Sequence, residues 1–353
     1  MPNPTSTPAS IVPADTTVLV TGASGFIAQH TIAELLRAGY RVRGTLRSKA
    51  RGAEVAAVIG RHAPIEHLSF VEAELGSEAG WADACRGCRF VLHVASPLPS
   101  APPKDPDELI IPARDGALRV LRAAVAARVE RVVLTSSVAA VVYGHARDGR
   151  RTYDEADWSQ LTADVGAYEQ SKTLAERAAW DYVNGLPPDQ AIELVAVNPG
   201  LVLGPILSAD FSTSGEVVRK LLKRELPGCP DIGWAVVDVR DVAAAELAAM
   251  TTPGAAGQRF ILAIEHAGMR DIAAILDRTF RPRGYRVPTR KVPGWVLRLV
   301  STWDKTARLA VQELGKRQDL SNQRAREVLG WRPRSLEDMV VAMGESMIAH
   351  QVV

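Results

Sequence analysis

At 353 residues, 47% of them hydrophobic, the chain can bury a substantial core and is too apolar for wholesale disorder. Its 42 basic and 40 acidic residues leave a formal charge of +2, which gives no electrostatic ground for a nucleic-acid or anionic-membrane partner. Three cysteines are too few for a disulfide framework, and no run is long and apolar enough to span a bilayer.

Residues 1–15 (MPNPTSTPASIVPAD) are rich in Pro, Ser and Thr and lack both a basic start and an apolar stretch. They read as a flexible arm and not as a secretory signal, and a cytoplasmic location is the expectation in the absence of another address. From Thr17 onward, short β-branched runs alternate with longer helical segments. Strands are predicted at Thr17–Thr21, Arg41–Leu46, Leu68–Ala73, Phe90–Val94, Arg131–Thr135 and Glu193–Asn198. Each holds several apolar residues, as expected for strands covered on both faces. Helices are predicted at Phe26–Ala38, Leu109–Ala127 and Leu174–Val183. The Cys85–Cys88 CxxC falls between the third and fourth strands. Cys229 alone cannot complete a zinc site with it, so all three read as reduced thiols. Residues 97–108 form a Pro-rich loop and 144–167 a long polar one.

After Asn198 the rhythm changes. Pro199–Gly200 and Gly204–Pro205 punctuate a loop, followed by a polar linker (SADFSTSGE) and a helical stretch at Val217–Leu226. Val236–Met250 reads as one more helix and Phe260–Ile264 as one more strand. The segment from Met269 onward is helix-like and richer in Arg. The alternation implies an α/β fold, a Rossmann-type doubly wound parallel sheet with a smaller, mostly helical C-terminal lobe.

The first strand runs straight into Gly22-Ala23-Ser24-Gly25-Phe26-Ile27-Ala28, which opens a helix. This GxxGxxA has the context of a dinucleotide fingerprint: a glycine for the turn, another for the approach of a pyrophosphate, a small residue for helix–strand packing. An NAD site usually carries an acid about 20 residues further on. None occurs between Glu34 and Glu54, where Arg43, Arg47, Lys49 and Arg51 stand instead. Cations there suit the 2′-phosphate of NADP(H), Arg47 foremost.

Tyr168-Glu169-Gln170-Ser171-Lys172 sets a phenol and an ammonium four residues apart, on one face of a helix. A neighbouring ammonium brings a phenol of pKa about 10 toward working range as an acid or base. Thr135-Ser136-Ser137 closes the fifth strand, at the sheet edge where ligands of such folds sit. Each feature alone also reads as ordinary packing or an exposed helix face; together and in this order they describe a site.

TGASGFIA, VLHVASP, VVLTSS, YEQSK, NPGLVLGP and DVRDVA resemble, in order, the motif blocks of the extended short-chain dehydrogenase/reductase family. GFIAQH, the ASP after the fourth strand and AYxxSKxxAExAAW resemble its subgroup of dihydroflavonol 4-reductase-like, methylglyoxal reductase-like and bacterial aldehyde reductase-like enzymes. The resemblance covers nearly the whole chain and is weakest after about Met269. It implies NADPH-dependent reduction of a small-molecule aldehyde or ketone, with Tyr168 as proton donor, Lys172 tuning it and binding ribose, and Ser137 polarising the carbonyl. Ser137 is preferred to Ser136 as the second serine of the TSS block. It further implies Gly22, Ser24, Gly25, Phe26 and Ile27 at the pyrophosphate, and Arg47 with Lys49 at the 2′-phosphate. Ala95 and Ser96 would run beside the cofactor, with Pro199, Leu201 and Val202 flanking the nicotinamide. Glu74-Leu75 stands where the family usually has Asp before its aliphatic residue, and the resemblance implies Glu74, with a longer carboxylate, and Leu75 at the adenine.

On this reading residues 16–200 form the NADP-binding domain, rejoined by about 234–264, and 201–233 with 265–353 form the substrate lobe. No metal site is expected: His93 reads as a core residue, and His145 has no ligand company. Trp158, Trp295 and Trp303 read equally as pocket-lining or packing residues. Monomer and homodimer both stay open. Two rival functions are a sugar-nucleotide epimerase or dehydratase with bound NAD, and a non-catalytic NADP-binding regulator. The basic second-strand end argues against the first, and the retained Tyr168 and Lys172 against the second.

Overall fold

The computed structural model describes residues 11–97, 103–145, 152–162, 165–209, 211, 213–303, 310–311 and 313–353. Most of the expected N-terminal arm, and parts of the loops at 97–108 and 144–167 and of the linker at 208–216, lie outside these residues. The strands are β1 (Thr17–Val20), β2 (Arg41–Leu46), β3 (Leu68–Glu72), β4 (Phe90–His93), β5 (Arg131–Thr135), β6 (Thr152–Tyr153), β7 (Glu193–Pro199), β8 (Leu201–Leu203), β9 (Gly233–Asp238), β10 (Arg259–Leu262), β11 (His266–Gly268) and β12 (Asp319–Leu320). Seven of them form one sheet in the order β10-β7-β5-β4-β1-β2-β3. Every pairing in it is parallel, so all carboxyl ends share one edge.

Alternation along the strands sorts the core. Val18 and Val20 of β1 point into one apolar cluster with Phe90, Leu92, Val133 and Ile32. Leu19 between them joins a second cluster with Val91, Val132, Leu134 and Val120. Helices α1 (Phe26–Arg37) and α7 (Val239–Thr251) pack together over the first cluster. Helices α4 (Asp107–Ala126) and α5 (Ala167–Asn184) pack together over the second. The remaining early helices are α2 (Gly52–Ile59) and α3 (Trp81–Cys85). Among the described residues no helix is long and apolar enough to cross a membrane.

Helices α6 (Glu216–Leu222) and α8 (Met269–Phe280) and the last helix, Leu336–Ala349, lie beyond β7 in the chain. Met339, Val340, Met343 and Met347 of that last helix pack with Leu276 and Phe280, and their apolar cluster runs on into the first sheet face.

Two expectations are corrected here. Val236–Met250 is not one helix: its start belongs to β9, and the helix begins only at Val239. Val236 and Val237 pair with Leu201 and Val202, and Asp238, with extended backbone, caps the helix by accepting the Arg240 N–H at 2.8 Å. Nor are the residues after Gly200 only a loop, because Leu201–Leu203 forms β8. In the three-stranded sheet β11-β9-β8 a side chain at Gly200 would meet the Ala235 carbonyl oxygen at 2.3 Å, so glycine admits the close strand approach.

Glu246 of α7 ties helix α1 to strand β5. It is fully buried and accepts from Thr135 Oγ1 of β5 at 2.6 Å. Its other oxygen lies 2.6 Å from Thr31 Oγ1 of α1, which also reaches the Ile27 carbonyl at 3.0 Å. Burial pushes this carboxyl up to about 7, against the hydroxyl hydrogen bonds that lower it. Its folded value exceeds the unfolded one, so its contribution is full below about pH 4.5 and is lost as pH rises through about 7. Glu246→Gln, which keeps a donor and an acceptor, is expected to remove an acid-side stability advantage on the order of 3 kcal/mol. Urea melts across this pH range check it; a variant whose pH slope equals that of the parent would refute the assignment.

Candidate active site

The candidate residues gather along the carboxyl edge of the sheet. Gly22 follows β1 with φ +70, and a side chain there would meet Ala95 Cβ at 3.0 Å, so both backbone and space call for glycine. Its N–H is held by Thr45 Oγ1 at 2.9 Å. Gly25 is the N-cap of α1 and brings no side chain to the first-turn amides. Those amides and the 12-residue helix dipole form a ready anion site. Phe26 is buried, Ser24 and Ile27 are half-buried, and the Ser24 carbonyl accepts from Gln29 Nε2 at 3.1 Å.

Of the four cations near the end of β2, two are engaged elsewhere. Arg43 Nη1 donates to the carbonyls of Asp83, Ala84 and Arg86 at 3.1, 2.9 and 2.7 Å, closing α3. Arg51 pairs with Glu54 at 3.3 Å. Arg47 and Lys49 are exposed and form no ion pair among the described residues. Glu74 is exposed just past β3 and its carboxylate makes no hydrogen bond among them, while Leu75 is half-buried against Gly116. Ala95 and Ser96 follow β4, Pro199 ends β7, and Leu201 and Val202 lie in β8. A dinucleotide phosphate fits this edge: it has a turn with glycine at both ends, the first-turn amides of α1, and two exposed cations after β2 that form no ion pair among the described residues.

At the end of β5 the two serines part. Ser136 Oγ donates to Glu176 Oε2 at 2.5 Å, inside the fold. Ser137 begins a short 3-10 turn, accepts from the Ala139 N–H at 3.1 Å, and hydrogen-bonds the Tyr168 hydroxyl. Tyr168 is the second residue of α5 and Lys172 the sixth, one turn on. Burial raises the Tyr168 phenol, the Ser137 hydrogen bond opposes this, and Glu169 adds to it, so the phenol stays protonated. Burial pushes Lys172 down to about 8, with Glu176 opposing. Among the described residues its ammonium donates to the Thr135 carbonyl at 3.4 Å.

His93 lies behind this set. The Ala95 N–H donates to Thr21 Oγ1 at 2.9 Å, and Thr21 Oγ1 is 2.9 Å from His93 Nδ1. Burial, and then Lys172, push the imidazole down to about 3, so it is neutral. His93, Ser96, Ser136, Lys172 and Glu176 line a cavity of about 20 Å³, room for one water.

A family model, that of the NAD dependent epimerase/dehydratase family, matches residues 18–263. The chain belongs to this family. Among its relatives is cinnamoyl-CoA reductase 1 of Arabidopsis thaliana, 35% identical over 283 residues, 79% of this chain and 78% of that protein. The NADPH-dependent methylglyoxal reductase of Saccharomyces cerevisiae is 30% identical over 341 residues, 92% of this chain and 95% of the relative. The crystal structure of the yeast methylglyoxal/isovaleraldehyde reductase complexed with NADPH superposes with a TM-score of 0.79 at 28% identity, covering 96% of this chain and 99% of the other.

Several residues of this epimerase/dehydratase-family site escape motif reading. Glu176 is fully buried and also accepts from Asn198 Nδ2 at 2.8 Å and Arg259 Nε at 2.6 Å. Arg259 further donates to the carbonyls of Glu155 and Asp157 at 3.1 and 2.7 Å and lies 3.8 Å from the Trp158 ring centre. Trp158 is half-buried against Arg259, whereas Trp295 and Trp303 are 68% and 70% exposed. The spacing Lys172–Glu176, one helical turn, was the available signal for Glu176. The cysteines are free and buried, with Cys85 pushed up to about 12 and Cys88 raised by burial, which suits inert thiols.

Proposed function

We propose that the protein reduces a small-molecule aldehyde or ketone to the alcohol with NADPH, Tyr168 serving as proton donor. The observation that carries this is the Ser137–Tyr168 hydrogen bond with Lys172 one turn behind, on the edge that also holds the Gly22–Gly25 turn. When bound, the reduced nicotinamide supplies the hydride. The chain's own residues do the rest. Ser137 and Tyr168 direct hydroxyl hydrogens at the carbonyl oxygen as charge develops on it. Tyr168 gives up its proton to that oxygen. Lys172, charged below about pH 8, favours the phenolate left behind. Ser136 cannot share this work, since Glu176 holds its hydroxyl.

Gly22, Ser24, Gly25, Phe26 and Ile27 would cradle the pyrophosphate, and Ala95, Ser96, Pro199, Leu201 and Val202 would flank the nicotinamide half. Glu74 and Leu75 would meet the adenine. Arg47 and Lys49 would hold the 2′-phosphate, which favours NADPH and disfavours the NAD-retaining epimerase reading. Residues 16–200 with 234–264 would then be the cofactor domain and the remainder the substrate lobe.

The first test is NADPH and NADH oxidation by the purified protein with a panel of aromatic aldehydes, dicarbonyls and bulky ketones. Substrate-dependent loss of NADPH supports the reading. No loss with any carbonyl, together with NAD co-purifying, overturns it in favour of an epimerase. Arg47→Glu is expected to weaken NADPH binding at least about tenfold and to leave NADH nearly unchanged. Equal effects on the two would remove Arg47 from the 2′-phosphate.

A further inference from the structure

The near-neutral total charge conceals a segregated surface. From Glu216 to Asp231 and from Gly284 to Trp303 the chain carries eight basic residues against three acidic ones, a larger excess than the +2 of the whole. Backbone contacts hold these two segments together. The Cys229 N–H donates to the Arg290 carbonyl and the Val292 N–H to the Cys229 carbonyl, both at 2.8 Å, and Arg290 Nε reaches the Pro227 carbonyl at 2.8 Å. The three acids are engaged: Arg219 takes up Glu216 and Glu225 at 2.9 and 2.7 Å, and Lys291 pairs with Asp231 at 3.3 Å. Lys223, Arg224, Arg286, Arg290 and Arg298 are exposed and form no ion pair among the described residues.

A short apolar helix belongs to the same surface. Helix α9 (Gly294–Val300, GWVLRLV) starts two residues after Val292, and none of its residues is buried. Trp295, Arg298 and Leu299 are spaced to share one face of it. The chain keeps turning past its end, with the N–H groups of Ser301, Thr302 and Trp303 donating to the carbonyls of Leu297, Leu299 and Val300 at 2.9, 3.3 and 3.2 Å. Trp303 therefore follows Leu299 by about one further turn. Leu299 is 54% exposed, and only Trp295 and Trp303 exceed it among the large apolar side chains of the described residues.

Whatever covers this face has to be anionic and has to receive indole and leucine side chains. A second copy of the chain fails the first condition, since a twofold contact would set like charges against each other. A nucleic-acid strand meets the first but offers no apolar phase to Leu299. A bilayer containing anionic lipid meets both: indoles settle at the headgroup level, aliphatic side chains dip below it, and surrounding Lys and Arg are drawn to the surface. We propose that α9 and Trp303, with the cations at 223–224 and 286–298, form a docking surface by which the protein settles peripherally on an anionic phospholipid bilayer. This goes beyond the reductase reading and does not depend on it.

The experiment mixes the full chain with phosphatidylcholine vesicles that contain either no phosphatidylserine or about one-third of it. Binding is read by co-sedimentation and by the wavelength of tryptophan emission. Binding to the anionic vesicles is expected to be at least about tenfold stronger, with emission shifted to the blue, and to fall as salt rises. Trp295→Ser with Trp303→Ser, and separately Arg286→Glu with Arg298→Glu, are each expected to weaken it at least about tenfold. All four side chains are exposed, so the urea midpoint should stay that of the parent and show that both variants are folded. No vesicle binding, equal binding to neutral and anionic vesicles, or binding untouched by the tryptophan pair overturns the proposal. Retention on an RNA oligonucleotide that charge reversal abolishes, without vesicle binding, would give the face to a polyanion instead. A raised KM for carbonyls in the tryptophan pair, again without vesicle binding, would give it to substrate entry.

Discussion

Tyr168→Phe is expected to lower kcat for every carbonyl substrate by a factor of about 100 to 10,000, the usual worth of a positioned general acid, and to leave NADPH affinity unchanged. The substitution removes one oxygen and keeps the ring. The Gly22–Gly25 turn, Arg47 and Lys172 are untouched, so binding and catalysis separate cleanly. Ser137 would retain one donor toward the carbonyl and therefore some residual rate. The pH profile carries the second half of the expectation. The phenol is held above its ordinary range by burial, so it does not limit the reduction near neutrality. Lys172, pushed down to about 8, does. Reduction measured as kcat/KM should be level through neutral pH and fall above about 8, as the ammonium that favours Tyr168 ionisation loses its proton. Near-normal turnover by Tyr168→Phe would end the proton-donor assignment.

Glu176→Ala is expected to cost about 3–5 kcal/mol of folding stability, the range seen when one partner of a buried ion pair is removed. The carboxylate is fully buried and Arg259 opposite is 7% exposed. Its loss would strand a buried guanidinium, leave the Ser136 hydroxyl without its acceptor and remove one of the two acceptors of the Asn198 amide. The pair Arg278–Glu337, 62% and 59% exposed, serves as the internal contrast. Glu337→Ala should cost no more than about 1 kcal/mol. Chemical denaturation of both variants tests the difference, and comparable losses would show that burial does not govern these pairs as argued.

Local chemistry made much of this protein legible before any coordinate. Runs such as TVLVT and RVVLT are apolar on both faces because helices cover both, and the alternation of Val18, Leu19 and Val20 between two clusters is that rule at work. TGASGFIA, VVLTSS and YEQSK fall where the motifs imply, at strand ends and helix starts along one edge. What escaped is non-local. VVDVRDVA reads as a continuous helical stretch until Val236 and Val237 are seen to pair with a strand that depends on Gly200. Glu176 and Arg259 are 83 residues apart in sequence, and neither announces a partner. The four cations in and just after the second half of β2 look alike in a string of letters. The structure separates them: the carbonyls around the end of α3 divert Arg43, and Glu54 engages Arg51.

The last strand of the parallel sheet, β10, enters the order beside β7 although some 60 residues separate the two in the chain. A nascent polypeptide still tethered at the ribosome, with Arg259 not yet emerged, would hold β7 as an open edge and Glu176 without its cation. Open edges invite wrong pairing, and a charge without its partner resists burial. Synthesis at about 5–20 residues per second makes that interval a matter of seconds. The serine-bearing end of β5 is therefore sealed late, by a strand made after the whole catalytic set has been translated.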